Sequence, residues 1–280
     1  TKAGALSFSG AAALGGSYNQ LDLNSKVSSY IGEGAEVKIN RYRNNLTELN
    51  LKSDLINQVD AQTLGGAAAV GGGAVGATYL NISDQSLVTT YLGDEGNYNN
   101  IHLLSLDSNY TNQLKARAIG AGAGLYLGAG AAKSDVKIDA QTVSFFGDNL
   151  KIKQEENPYL YGSQVKANAF SDYGVDNYAF AGAMGAGSIN GAHALSVLNA
   201  KTKAHTGNNF YLDLGSNYNR NNNFEVIAQN RNNVKSKAEG LNIGGISVGV
   251  SYSQSKINNK IESYLAENNN ISVAGDITIQ

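Results

Sequence analysis

An aromatic residue, an aliphatic residue and a glycine recur together along this chain at a nearly fixed interval, and any fold must accommodate that period. Tyr30-Ile31-Gly32, Tyr91-Leu92-Gly93 and Phe145-Phe146-Gly147 carry it plainly; His205-Thr206-Gly207 and Tyr264-Leu265-Ala266 carry weaker versions. Their third residues are 61, 54, 60 and 59 positions apart. Each arm follows a run of glycine and alanine, such as GGAAAVGGGAVGAT (65–78) and IGAGAGLYLGAGAA (119–132). Ahead of those runs stand QVDAQT (58–63), QLKARA (113–118), QVKANA (164–169) and NVKSKA (233–238). A fixed period of this size marks units that cannot bury an apolar face alone and must stack on their neighbours. The copies fall at approximately 1–60, 61–115, 116–166, 167–235 and 236–280, in one continuous domain over 1–280. SDYGVDNYAF (171–180) reads as an insertion in the fourth copy.

The units read as strands. Val59, Ala61 and Thr63 alternate with polar residues, as do Leu114, Ala116 and Ala118, and Val165, Ala167 and Ala169. Period two places them on one face of a strand. Tyr, Val, Ile, Thr and Phe fill the arms, which suits a pleated surface. Clusters such as DEGNYNN (94–100) read as turns. The single proline, Pro158, agrees, because proline is excluded from paired strands. LTELNLKSDLINQV (46–59) fits neither period cleanly. The expectation is an all-β chain, a β-solenoid with roughly three rungs in each repeat of 54–61 residues. At about 4.8 Å per rung such a rod is on the order of 65–70 Å long.

The glycine runs admit three readings: a linker, a membrane-inserting segment, or strands needing close backbone approach. A linker would not repeat with valine and leucine at strand spacing. A membrane strand needs about 9–11 residues with bulky outward side chains and aromatic girdles. Tyr18, Tyr79 and Tyr126 lie near the runs but form no paired belt in the sequence. Close approach fits best, and bulk at Ala68 or Gly72 is expected to destabilise the fold.

Chemistry-bearing constellations are sparse. A net charge of −2 gives no footprint for nucleic acid. There is no cysteine, so disulfides and thiolate sites are excluded. His102, His193 and His205 belong to different repeats and share no ligand spacing. The GxG spacings have no strand–turn–helix context. Lys151, Lys153, Glu155 and Glu156 are the best charged cluster for a glycan-cleaving site, yet they read as a solvated strand end. We therefore expect no catalytic, cofactor-binding or metal-binding residues and no cofactor. Tyr42, Arg43, Tyr218 and Arg220, in asparagine-rich loops, are the candidate surface contacts.

AQTLGGAAAVGGGAVGATYLNISDQSLVTTYLGD (61–94) resembles the repeats of filamentous-haemagglutinin-like exoproteins exported by two-partner secretion in Gram-negative bacteria. The asparagine- and lysine-rich, proline-poor composition is most similar to the leukotoxin and adhesin branch. The resemblance implies a right-handed parallel β-helix at the cell surface or secreted. It implies a host cell-surface receptor or glycan as partner, and an outer-membrane transporter during export. It implies host-cell binding or presentation as the role, with membrane damage as the alternative. TKAGALSFSG and DITIQ, at the two ends, read as cuts within a longer chain.

Overall fold

The computed structural model describes residues 1–39, 47–154, 162–215 and 222–280. Four parallel sheets stack in register as a right-handed β-helix, with no helix among the described residues. Sheet A holds β1 (Lys2–Ser9), β5 (Glu48–Ala69), β9 (Leu103–Gly124), β13 (Gln164–Met184), β17 (Asn223–Ile243) and β21 (Ile277–Ile279). Sheet B holds β2 (Ala13–Leu23), β6 (Gly73–Asp84), β10 (Leu127–Ile138), β14 (Gly187–Leu198) and β18 (Ile246–Ile257). Sheet C holds β3 (Lys26–Ile31), β7 (Leu87–Leu92), β11 (Gln141–Phe146), β15 (Lys201–His205) and β19 (Lys260–Tyr264). Sheet D holds β4 (Glu36–Lys38), β8 (Asn97–Asn99), β12 (Lys151–Lys153), β16 (Tyr211–Asp213) and β20 (Asn270–Ser272).

The register corrects the expected rung count. Leu104 pairs with Leu49 before it and Val165 after it, and Val165 pairs with Phe224. One repeat therefore makes one coil, not three. The reason lies in strand length: β5 and β9 each run 22 residues without a break, so one long strand and its return strands consume a whole repeat. The five coils rise only about 20–25 Å, and the long dimension, about 70 Å, runs along sheet A instead. The described part of the ambiguous segment supplies the first half of β5, from Glu48 to Val59. SDYGVDNYAF is not an insertion: Tyr173, Val175, Asn177 and Ala179 pair with Asn112, Leu114, Ala116 and Ala118. QVKANA pairs instead with the start of β9, Gln164 opposite Leu103.

The coil is flattened into two walls, sheet A against sheets B, C and D, and it tapers. Inward residues of β9 shrink along the strand: Leu104, Leu106, Tyr110, Leu114, then Ala116 and Ala118, then Gly120 and Gly122. At the wide end Tyr98, Phe146, Phe210 and Phe224 fill one core. Tyr98 lies wholly inside it, and burial pushes its hydroxyl up to about 12. A second core uses Leu80, Ile82, Val136 and alanines, and a small cluster at the narrow tip is made of Ala13, Ala67, Ala69 and Ala74. Between the two larger cores the hydroxyls of Ser53, Ser108 and Ser144 donate to carbonyls of the opposite wall at 2.9, 2.7 and 2.8 Å.

At the tip the walls meet backbone to backbone. A β-carbon added to Gly120 would sit 1.9 Å from the Ala131 oxygen, and one on Gly122 would sit 2.0 Å from the Ala129 oxygen. These glycines thin the coil from wall to wall; the spacing between coils is set by the hydrogen-bonded ladder. The run at 65–78 is accordingly two strands reversing near residues 70–72. Gly72 needs its glycine, since a β-carbon there would lie 2.1 Å from the Ala11 oxygen. Ala68 does not match the expectation, because it points outward while Ala67 and Ala69 point in.

Sheet C carries the aromatic of each repeat on its outer face. Tyr30, Tyr91, Phe145, His205 and Tyr264 form one continuous stack with centroid spacings of 5.0, 4.8, 5.2 and 5.0 Å and planes within 7°. Each such contact adds about 0.5–1.5 kcal/mol. The glycine after it marks a corner where coils touch: a β-carbon on Gly93 would lie 2.6 Å from the Glu33 nitrogen. The next turn places Gly34, Glu95, Asn149, Asn209 and Asn268 in the left-handed region. Across this corner Asp94 accepts from the Asp148 N–H at 2.8 Å, and Asp148 accepts from the Asn208 N–H at 2.7 Å.

Gly122→Val is expected to lower stability by about 3 kcal/mol, whereas Ala121→Val, one residue away but facing out, changes it by less than about 0.5 kcal/mol; urea titration followed by circular dichroism reads both. His205, inside the ring stack, has its pKa lowered chiefly by burial. The unfolded chain therefore takes up this proton first as pH falls below about 6.5, and the folded form loses stability down to the depressed folded pKa. His205→Tyr is expected to keep the stack and remove that part of the acid-side fall in Tm, while His205→Ala lowers Tm at every pH.

Candidate functional site: an uncharged apolar edge

The taper dictates where large apolar side chains can go. Within the last seven or eight residues of each long strand there is no room inside, so the bulky groups face out. On sheet A these include Leu6, Phe8, Leu64, Ile119, Phe180 and Leu241. On sheet B they include Leu14, Val75, Leu127, Ile189, Val248 and Val250. Leu125 and Tyr126 cap the turn between the walls and are 60% and 66% exposed. Phe8, Leu14 and Ile246 keep 77%, 77% and 78% of their surface in solvent.

The usual pattern, apolar in and polar out, fails here: the outward positions are apolar, and the inward ones hold glycine and alanine in the second and third coils. In the fourth and fifth coils Ser188, Asn190, Ser247 and Asn242 occupy inward positions of the tip. Ser188 and Ser247 share a hydrogen bond of 2.8 Å, and the Asn190 amide donates to the Ala181 carbonyl at 3.1 Å. On the outer faces of the strip the one charged group among the described residues is Glu239. It is held by Lys237 at 2.6 Å and by the Tyr178 hydroxyl at 2.8 Å, which keep its carboxyl below the usual range.

Two rows of amphipathic residues bound the strip. Across sheet A, Lys2, Gln62, Arg117, Tyr178 and Lys237 pair in succession. Across sheet B, Tyr18, Tyr79, Lys133, His193 and Tyr252 do the same. Gly120 faces Ala131 and Gly122 faces Ala129, so Arg117 and Lys133 stand within one residue of the same level on the two walls. Tyr18 and Tyr79, unpaired in the sequence, thus belong to a belt, while Tyr126 sits at the turn. Stepping through the chain by the repeat interval would have found both rows.

The outer face of sheet A dips between its bulky residues. Gly66, Ala68, Ala121 and Ala123 floor a trough whose larger part, about 860 Å³, is flanked by Phe8, Leu125, Met184 and Ile243. Its lining offers almost no polar side chain. The trough suits hydrocarbon, not a hydrogen-bonding substrate.

Other candidates stay apart. Tyr42, Arg43, Tyr218 and Arg220 lie outside the described residues, as do Glu155 and Glu156. Lys151 and Lys153 face solvent on β12. His193 sits in the belt beside Asp135 at 3.4 Å, His205 in the ring stack, and His102 is buried at the start of β9. Along sheet A, Asp60, Lys115, Asp176 and Lys235 alternate in sign from coil to coil. That is a cross-strand charge ladder, not a pair of acids. Asp84 is fully buried, accepting from Ser86, Tyr110 and Asn112. It stands where Ile138 and Leu198 stand in later coils, and no substrate reaches it. Burial, then the Asp84 charge, pushes the Tyr110 hydroxyl far up. No group of three His, Asp or Glu able to hold a metal occurs among the described residues, and no described helix is long and apolar enough to cross a membrane.

Comparison of this chain with known protein families, with curated proteins and with solved structures finds no match.

Proposed function

We propose that this chain is a non-enzymatic contact segment of a large exported bacterial exoprotein, of the filamentous-haemagglutinin-like, two-partner-secretion kind with leukotoxin or adhesin character. Its coils act as a scaffold that holds an adhesive edge outward, secreted or at the bacterial surface, toward host cells. The observation that carries this reading is the tip itself: five coils in register expose large apolar side chains on both outer faces, with a single charge among them. Exposed apolar patches of this extent mark interaction sites. The repeat pattern that resembles the exoprotein family supports the export route through an outer-membrane transporter. The same edge is what supports the second reading, membrane damage.

Fluorescently labelled protein is expected to bind cultured mammalian cells saturably. Leu125→Asp combined with Met184→Asp places two charges on the outer face without touching the core, and is expected to weaken binding by roughly tenfold or more, since each charge must be desolvated at the contact. Unchanged binding by a variant with a wild-type melting curve overturns the assignment of the edge as the contact.

A further inference from the structure

We propose that the partner of this edge is a lipid bilayer, into which the tip seats part of the way without crossing it. The inference deepens the proposed function and rests on the edge being a contact surface.

Three observations choose lipid over a protein partner or a second copy. First, the apolar strip wraps a thin convex edge and covers both outer faces as well as the turn at Leu125 and Tyr126. A flat partner or a second copy covers one face; a bilayer surrounds an edge on all sides. Second, the tip carries Leu, Ile, Val and Phe outward over small inward residues, glycine and alanine in the second and third coils and Ser188, Asn190, Asn242 and Ser247 in the fourth and fifth. Water gives no reason for that arrangement, whereas lipid-facing strands are apolar outward and can be polar within. Third, the strip ends at the same level on both walls in rows of Tyr, Lys, Arg and His. Tyrosine rings and long basic side chains collect at the headgroup level, where one end of each is wet.

Depth follows from strand geometry. Six residues separate Lys133 from Leu127 and eight separate Arg117 from Leu125. At about 3.3 Å per residue the strip is roughly 20–26 Å deep, short of the hydrocarbon thickness of about 30 Å. It passes the midplane, at about 15 Å, but does not reach the far headgroups, so vesicles are expected to bind the protein without leaking. Two of the three belt lysines are already paired, Lys133 with Asp135 at 2.8 Å and Lys237 with Glu239 at 2.6 Å. Binding is therefore expected to depend little on anionic lipid.

The chain has no tryptophan, so single reporters are unambiguous. Leu125→Trp marks the tip and Asn97→Trp, on the outer face of β8, marks the opposite end of the coil. With phosphatidylcholine vesicles the tip reporter is expected to shift its emission to shorter wavelength and to be quenched by brominated acyl chains. The distal reporter is expected to do neither, and entrapped carboxyfluorescein is expected to stay inside. Leu125→Trp emission indistinguishable with and without vesicles overturns the inference. So does a tip reporter already shifted in a dimer seen by light scattering without lipid, which assigns the edge to a second copy. Full dye release overturns the partial seating. Edge-dependent binding to cells without any vesicle binding leaves the proposed function standing and removes lipid as the partner; vesicle binding without cell binding does the reverse.

Discussion

Parallel backbone hydrogen bonds join each repeat to the next without slippage, over 22 consecutive pairs between β5 and β9 and 21 between β13 and β17. A one-residue slip would send every inward side chain to the outside, so this register decides all else. It stacks Tyr30 on Tyr91 on Phe145, aligns the corner glycines, and turns residues 54–61 positions apart into rows. None of the surfaces described above exists within a single repeat. Each is a column assembled from five.

The second constraint is the wall-to-wall distance. Where side chains stand between the walls, as at Leu104, Phe146 and Phe224, the interior is an ordinary apolar core. Where glycines bring the backbones into contact, no apolar group can be buried, and Leu, Ile, Phe and Met have only the outer face left. The apolar edge is thus not a surplus of the core. A chain selected only for solubility would place lysine or glutamate at those outward positions, as this one does along Asp60, Lys115, Asp176 and Lys235 farther from the tip.

The strands, the repeat and the stacked architecture were legible in the sequence, because period-two alternation and a 54–61-residue interval are local signals. The number of coils per repeat was not. A run of 22 residues in one strand is far beyond the usual 5–6, and the divergent stretch at 171–180 hid the repeat by changing Leu114 and Ala116 to Val175 and Asn177. His205 looked like a weak copy of the arm and occupies the ring stack all the same, since an imidazole is flat enough to fill it. The site was less legible still. Gly/Ala runs announce close approach but not which face is outward: Ala68 and Ala69 differ only by the parity of the strand. The belts needed the register before Tyr18, Tyr79 and Tyr252 could be seen as neighbours.

One distance tests the account most directly. Lys26 and Lys260 occupy the same column of sheet C in the first and fifth coils, linked through Leu87, Gln141 and Lys201. Nitroxide labels on Lys26→Cys and Lys260→Cys, in a chain with no other cysteine, report their separation by double electron–electron resonance. One coil per repeat predicts about 20 Å between the two backbones, four ladder steps apart. A separation near 60 Å, the spacing three coils per repeat would give, contradicts it.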